Sequence, residues 1–101
     1  MRVIVFFDLP TETIEDKRNY RKFRKFLIKD GFLMLQESVY AKLALNHTQV
    51  DQIISEVKKE NPPKGSVQIL SVTEKQFSKM ELLSGKINTN IINTDERLLI
   101  I

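Results

Sequence analysis

Residues 3–10 read VIVFFDLP, an apolar run that ends in a carboxylate and a proline. β-branched and aromatic residues over this length predict a buried strand, which we place at residues 2–8. Pro10 ends the strand, because it has no N–H to donate to a sheet ladder. Asp8 is therefore held at the mouth of a core strand, where ionisation is costly without a partner. Two interpretations stay open from these residues alone: a divalent metal or a cationic group partners Asp8, or Asp8 binds its own backbone in a turn.

Helix and strand patterns alternate along the rest of the chain. Helical periodicity covers residues 11–30 and ends at Gly31, and a second helix is predicted from about Thr48 to Glu60. Further strands are predicted at 32–36, 38–43 and 66–72, and a short helix at 73–80. The β-α-β-β-α-β order predicts an α+β, ferredoxin-like fold, an antiparallel sheet with both main helices on one face. The whole chain, 1–101, has the length of one domain.

The second face of this sheet is predicted to be bare. Its strands are too apolar for a face left in water, and bare apolar faces are typical of interfaces. The chain ends on four apolar residues, 98–101, which follow a polar loop. We predict that residues 95–101 form a C-terminal strand that pairs with the sheet edge of a partner subunit. The protein is then expected to be a homodimer with two-fold symmetry.

Composition excludes several classes of protein. The chain has no cysteine, which excludes disulfide scaffolds and thiolate metal sites. We find no signal-peptide pattern and no apolar stretch long enough to span a bilayer. A cytoplasmic protein with no membrane partner is therefore expected.

Positive charge is concentrated in the first predicted helix. Seven Lys and Arg residues, and no acid, lie between Lys17 and Lys29, although the whole chain has a net charge of only +3. On a helical wheel, Lys17 and Arg24 flank an apolar stripe that is centred on Tyr20. The face opposite the stripe carries Arg18, Arg21, Lys22, Lys25 and Lys29. Like charges at i,i+4 cost helix stability, so we predict that this uncompensated face binds nucleic-acid phosphates without reading sequence. A solvated face that serves solubility alone is the alternative.

These features together resemble a known family. They are the strand that ends in Asp8, the helix segment Tyr20–Leu27, Gly31, and the segment Gln36–Tyr40 with its Gln-x-Ser-Val-aromatic pattern. In order and spacing they resemble the small CRISPR-associated adaptation protein, the partner of the CRISPR integrase, over nearly the whole chain. Residues 72–77, VTEKQF, are most similar to members from type II systems.

The resemblance implies how such a protein works. It implies a ferredoxin-like homodimer in which two copies of Asp8 face each other across the axis. In this interpretation Asp8 is the catalytic and metal-binding residue of an endonuclease, and one Mg²⁺ (or Mn²⁺) ion is shared by the two copies. The resemblance also implies a CRISPR integrase subunit as partner, with the dimer bridging two integrase dimers on a short DNA duplex. Many members carry an acid just after the aromatic residue of the Ser-Val pattern, where this chain has Ala41 and Lys42.

Three functions from different classes are therefore carried forward. The favoured one is a structural adaptor that binds double-stranded DNA in CRISPR spacer acquisition. The second is a magnesium-dependent endoribonuclease or deoxyribonuclease that acts on its own. The third is a non-catalytic dimeric interaction module of ferredoxin type. We interpret His47, the only histidine, as a residue beside a helix cap, and Ser38 and Tyr40 as structural residues.

Overall fold

Four strands and three helices make up residues 1–85, the part of the chain that this computed structural model describes. They are β1 Arg2–Asp8, α1 Ile14–Lys29, β2 Leu33–Gln36, β3 Val39–Leu43, α2 His47–Lys59, β4 Ser66–Val72 and α3 Glu74–Ser78. The predicted β-α-β-β-α-β order is confirmed, and α3 lies within the predicted short helix. The strand predicted at 95–101 lies outside the described residues.

The sheet has β1 at its centre. The strand order is β2-β3-β1-β4, and every neighbouring pair is antiparallel. In this register Ile4 lies between Ala41 of β3 and Leu70 of β4. The register between β2 and β3 shifts between Met34 and Gln36, as at a β-bulge. This topology is the ferredoxin-like arrangement that the sequence predicts.

The larger core lies between one sheet face and the helices α1 and α2. Alternate residues of β1, namely Val3, Val5 and Phe7, are buried on this face, at 0%, 0% and 5% exposure. The helices and β3 contribute most of the other large buried side chains: Phe23, Leu27, Tyr40, Val50, Ile53 and Val57. Burying a side chain of this size contributes about 1.5–3 kcal/mol, so this layer holds the fold together.

The ends of α1 carry clear sequence signals. Thr13 caps the helix, because its hydroxyl accepts from the Asp16 N–H at 3.0 Å while the Asp16 carboxylate accepts from the Thr13 N–H at 3.3 Å. At the other end Gly31 has a φ of +101°, the left-handed conformation that ends many helices. The helix begins at Ile14, three residues later than the predicted start at residue 11, because Thr13 is the cap.

The second sheet face is only partly bare, so the prediction of a bare face was wrong in part. Phe77 of α3 is 4% exposed and packs with Ile4 and Ala41 in a small second core. Arg2 fixes α3 in place, because its Nε donates to the Glu74 carboxylate at 2.9 Å and its guanidinium lies 4.7 Å from the Phe77 ring centroid. Three leucines on this face stay exposed: Leu33, Leu43 and Leu70, at 39%, 51% and 51%.

Candidate functional site

Asp8 is the last residue of β1, and its side chain is exposed. It pairs with Ser66 of β4 at the end of the sheet. Since side chains alternate along a strand, Asp8 lies on the same face as Ile4 and Phe6, which is the second face. A carboxylate there is free to meet a cation or another subunit.

Gly65 supports the backbone of Asp8 from the neighbouring chain segment. It has a φ of +91°, and a Cβ atom at this position would lie 2.6 Å from the Asp8 carbonyl oxygen and 2.8 Å from Leu9 Cδ2. Only glycine permits so close an approach without a shift of the backbone. The segment Asn61–Gly65 that precedes β4 therefore fixes the position at which Asp8 leaves the sheet.

Residues 1–85 of one chain provide a single carboxylate, that of Asp8, to this site. Among residues 1–85 no three His, Cys, Asp or Glu side chains come together as a metal site. The Asp8 oxygens have the hard chemistry that Mg²⁺ prefers, and Mg²⁺ is often bound through one or two carboxylates plus substrate phosphates. The donor set therefore fits such an ion only as half of a shared site, completed by a second Asp8 and a substrate.

The predicted basic face of α1 is exposed as expected. The buried residues of the helix are Asp16, Phe23 and Leu27, and Tyr20 and Phe26 are half-buried. All five predicted contact residues are exposed: Arg18, Arg21, Lys22, Lys25 and Lys29. Within residues 1–85 none of the five forms an ion pair with a carboxylate. The helix therefore presents uncompensated positive charge to solvent; its contacts with nucleic acid stay a prediction.

The structure does not bring Asp8 and this basic face together. Helix α1 packs against the sheet face that carries Val5 and Phe7, whereas Asp8 lies on the opposite face. The charged side of α1 points away from the sheet altogether. Two separate surfaces thus carry the candidate chemistry.

Arg24 has a partner that sequence reasoning did not identify. Its Nε donates to the hydroxyl of Tyr40 at 2.9 Å, across 16 residues of sequence. Tyr40 is fully buried, as an inward-facing aromatic residue of β3. This bond raises the pKa of Arg24 above its ordinary value. The sequence feature that could have indicated this contact is Tyr40 itself, because a tyrosine hydroxyl buried on a core strand needs a hydrogen-bond partner.

Lys42 of β3 has a structural contact with the end of α1. Its Nζ donates to the backbone carbonyl of Asp30 and lies 3.2 Å from the Asp30 carboxylate. The cation thus holds β3 against the C-terminal end of α1, where positive charge is favourable. Nearby, the pKa of Glu56 is raised by hydrogen bonding to the Asp30 carboxyl and by repulsion from its charge. No catalytic arrangement is visible in this cluster.

His47 and Ser38 are the remaining polar residues considered from the sequence, and each lies next to the end of a helix or strand. His47 is the first residue of α2, directly after the N-cap Asn46, whose side chain accepts from the Gln49 N–H at 2.9 Å. The carbonyl of Ser38 accepts from the Phe7 N–H at 3.1 Å. In the described part of the chain, no helix has the length and apolar character needed to cross a membrane.

Comparison with known proteins gives consistent matches. A family model described as "CRISPR associated protein Cas2" matches residues 1–80. A curated CRISPR-associated endoribonuclease Cas2 from Treponema denticola is 55% identical over 101 residues and covers 100% of both chains. Another of the same name, from Streptococcus mutans, is 51% identical over 98 residues, which are 97% of this chain and 90% of the relative.

A solved structure supports the fold. The crystal structure of Streptococcus pyogenes Cas2 at pH 6.5 superimposes with a TM-score of 0.63 at 20% identity, over 83% of this chain and 100% of that chain. At this identity the match concerns the fold alone, and it agrees with the ferredoxin-like topology.

Proposed function

The chain belongs to the CRISPR associated protein Cas2 family, and from that premise we propose that it is a structural adaptor that holds a short DNA duplex in CRISPR spacer acquisition. In this proposal two copies of the chain form a homodimer, and the dimer bridges subunits of the CRISPR integrase. The duplex lies along the exposed side of α1, which contacts its phosphates rather than its bases.

The charge on α1 is the observation that carries this proposal. Five exposed Lys and Arg side chains share one helix face, and none has a carboxylate partner within residues 1–85. A helix that serves solubility alone tolerates mixed signs, which relieve the repulsion between like charges at i,i+4. The unrelieved repulsion between Arg18 and Lys22, and between Arg21 and Lys25, would be relieved by a bound polyanion.

The second sheet face supports the homodimer. This face exposes apolar surface to solvent around the small core that Phe77 covers. The exposed side chains are Leu33, Leu43 and Leu70. Burial against the same face of a second copy would remove this surface from water and give a self-complementary, two-fold interface. Each α1 would then lie on the outside of the dimer, and both basic faces would be open to a duplex.

Charge reversal on α1 tests the adaptor function. The variant Arg18→Glu, Arg21→Glu, Lys22→Glu, Lys25→Glu should lose binding to a fluorescently labelled DNA duplex, as measured by anisotropy at low salt. A matched control reverses four exposed lysines elsewhere, Lys58, Lys59, Lys75 and Lys79, and changes the net charge equally. The control should retain most of the affinity. Equal affinities of the two variants would contradict the proposal, because net charge rather than the α1 face would then govern binding.

Metal-dependent cleavage of nucleic acid is the second candidate function. The observation that favours it is the exposed Asp8 on the second face, together with the name endoribonuclease that the relatives bear. In a homodimer two copies of Asp8 would provide the paired carboxylates that residues 1–85 of a single chain do not supply. Mg²⁺ or Mn²⁺ bound there would activate water and stabilise the scissile phosphate. The part of Asp8 is to ligate the ion, and Gly65 holds the Asp8 backbone in position.

Substitution of Asp8 separates the two functions. Asp8→Ala should abolish cleavage of labelled RNA and DNA in the presence of Mg²⁺ or Mn²⁺ and leave duplex affinity unchanged, because α1 lies on the other side of the sheet. Asp8→Asn keeps the size of the side chain and should also be inactive. Cleavage that persists in both variants, or wild-type protein that cuts neither RNA nor DNA, would remove this second function.

A non-catalytic interaction module is the third possibility, and it differs from both in its response to salt. Binding through phosphates weakens steeply as salt rises, because each contact releases counterions. The module would be favoured if the protein bound another protein or a small ligand with an affinity that does not change with salt, and had no affinity for nucleic acid.

A further inference from the structure

The contact between Arg24 and Tyr40 joins the charged helix to the buried core. The Nε of Arg24 donates to the Tyr40 hydroxyl at 2.9 Å, and Tyr40 is 0% exposed. Arg24 itself is an exposed residue. One edge of the guanidinium is thus bound to a group that water does not reach, while the rest of the side chain lies at the surface.

This arrangement leaves most of the guanidinium available. A guanidinium has five N–H donors, and Tyr40 takes the single one on Nε. Within residues 1–85 no carboxylate forms an ion pair with Arg24, and Glu37 contributes only a weaker electrostatic attraction. The two terminal Nη groups therefore remain to donate end-on to an anion that has paired acceptor oxygens.

The anchor is rigid because Tyr40 belongs to an aromatic cluster. Its ring stacks on Phe7 with centroids 5.7 Å apart and an angle of 24° between the planes. Phe7 in turn makes edge-on contacts with Phe23 at 5.3 Å and with Tyr20 at 5.9 Å. Phe23 and Tyr20 both lie on α1 and precede Arg24, Phe23 directly and Tyr20 by about one turn. The helix and its acceptor are therefore held in one packed unit, and the hydrogen bond fixes the Arg24 side chain relative to both.

Arg24 lies beside the basic face rather than within it. It flanks the apolar stripe, and Arg21 is its neighbour one turn earlier on the helix. The basic side chains of the face form no ion pair among residues 1–85, and each must lose side-chain freedom when it binds a phosphate. For Arg24 a large part of that freedom is already removed in the unbound protein, which favours binding.

We propose that Arg24 is a pre-positioned contact for the phosphodiester backbone of the bound duplex, and that Tyr40 is the positioning residue that orients it. This inference rests on the proposed function of α1 and adds to it a sixth contact, at the edge of the face. In this inference Tyr40 increases the affinity for the duplex by orienting Arg24, although Tyr40 itself does not contact the duplex.

Three variants test the inference by anisotropy with a labelled DNA duplex, over a range of salt concentrations. Arg24→Ala should weaken binding about tenfold, as expected for the loss of one hydrogen bond between charged groups. It should also make the slope of log affinity against log salt shallower by about 0.9, because one phosphate contact is lost. Tyr40→Phe keeps the ring and every charge, so it should weaken binding several-fold with an unchanged salt slope. The double variant should bind like Arg24→Ala.

The pattern separates positioning from a structural effect of Tyr40. A general disturbance of the fold would weaken binding in the double variant beyond Arg24→Ala, whereas positioning through Arg24 predicts no further loss. The double variant also removes both partners of the bond, so that no buried hydroxyl is left without a donor. Lys59→Ala, on the exposed surface of α2, is the control for loss of one charge.

Three outcomes would overturn the inference, and they differ from failure of the proposed function. Wild-type affinity of Tyr40→Phe, or additive losses in the double variant, would show that Tyr40 does not act through Arg24. Wild-type affinity of Arg24→Ala, with binding still abolished by charge reversal at the four α1 residues, would remove Arg24 and leave the adaptor function intact. Duplex binding that survives the charge reversal would remove the proposed function and this inference together.

Discussion

Replacement of Gly65 by alanine is expected to destabilise the protein strongly, through a contact that is visible only in three dimensions. The new Cβ would lie 2.6 Å from the Asp8 carbonyl oxygen and 3.0 Å from Leu9 Cα. Both are backbone atoms, so rotation of a flexible side chain cannot relieve the overlap. The chain must instead shift where β1 ends, next to the candidate metal ligand.

The magnitude has two parts. Alanine at a φ of +91° costs about 1–2 kcal/mol, because its Cβ approaches the following carbonyl oxygen. Overpacking against backbone adds about 1–3 kcal/mol. The expected loss is therefore about 2–5 kcal/mol, a large fraction of the roughly 5–15 kcal/mol that holds a domain of this kind folded.

Gly31 provides a matched control for the first part alone. Its φ is +101°, but a Cβ there would meet only the flexible end of Lys42, at 3.5 Å. Gly31→Ala should therefore cost about 1–2 kcal/mol. The restriction of the unfolded chain by an added methyl group is the same for both variants and cancels in the comparison. Denaturant unfolding at equilibrium measures both; a Gly65→Ala variant no less stable than Gly31→Ala would refute the steric argument.

Three further predictions concern other parts of the structure. Leu70→Asp places a charge on the second sheet face and should convert the proposed homodimer into monomers in light scattering. Leu45→Asp, at a leucine that is more exposed than Leu70 and lies off the sheet, should not; dimers in both variants would exclude that face. Asp16→Ala breaks the capping box of α1 and should lower the free energy of unfolding by about 1 kcal/mol. The control Glu15→Ala removes an exposed acid from the same turn and should lower it less. Equal losses of stability in the two variants would contradict a capping function for Asp16. The pKa of Glu56 is raised by Asp30, so its stabilising contribution is present below the ordinary value of 4.5 and is lost as pH rises through the raised pKa. Glu56→Gln should therefore melt at a higher temperature than wild type near neutral pH and lose this advantage in acid; a difference that does not change with pH would contradict the coupling.

Features that depend on local pattern were predictable from the sequence. β1 is an uninterrupted apolar run that ends before Pro10, and both the run and the proline act within a few residues. Gly31 signals the end of α1 by the same local logic, since the left-handed conformation is favourable for glycine alone. The exposure of the basic face follows from the apolar stripe on the opposite side of the helix. These elements are determined by residues that are adjacent in sequence, and the structure confirms the predicted strand, helix end and exposed face.

Contacts between distant residues could not be predicted in the same way. Phe77 lies in a helix of five residues, too short for periodicity to show which sheet face it covers. Arg24 carries a charge, and nothing within one turn of it indicates that its Nε is bound to Tyr40 of β3. The pairing depends on how α1 lies across the sheet, which is set by the packing of Phe7 and Phe23 rather than by any local motif.

The strand β1 separates the two candidate functions because neighbouring residues of a strand point to opposite faces. Phe7 packs beneath α1 and belongs to the unit that orients Arg24, whereas Asp8 lies on the second face. A duplex on the outer side of α1 is thus separated from Asp8 of the same subunit by the helix and the sheet. In the proposed homodimer the second face is the interface, so a phosphate must enter between the subunits to reach the paired carboxylates. Duplex binding requires no such opening, since α1 stays exposed in either state. Cleavage therefore needs a second route for the nucleic acid, whereas duplex binding needs only the exposed surface of α1.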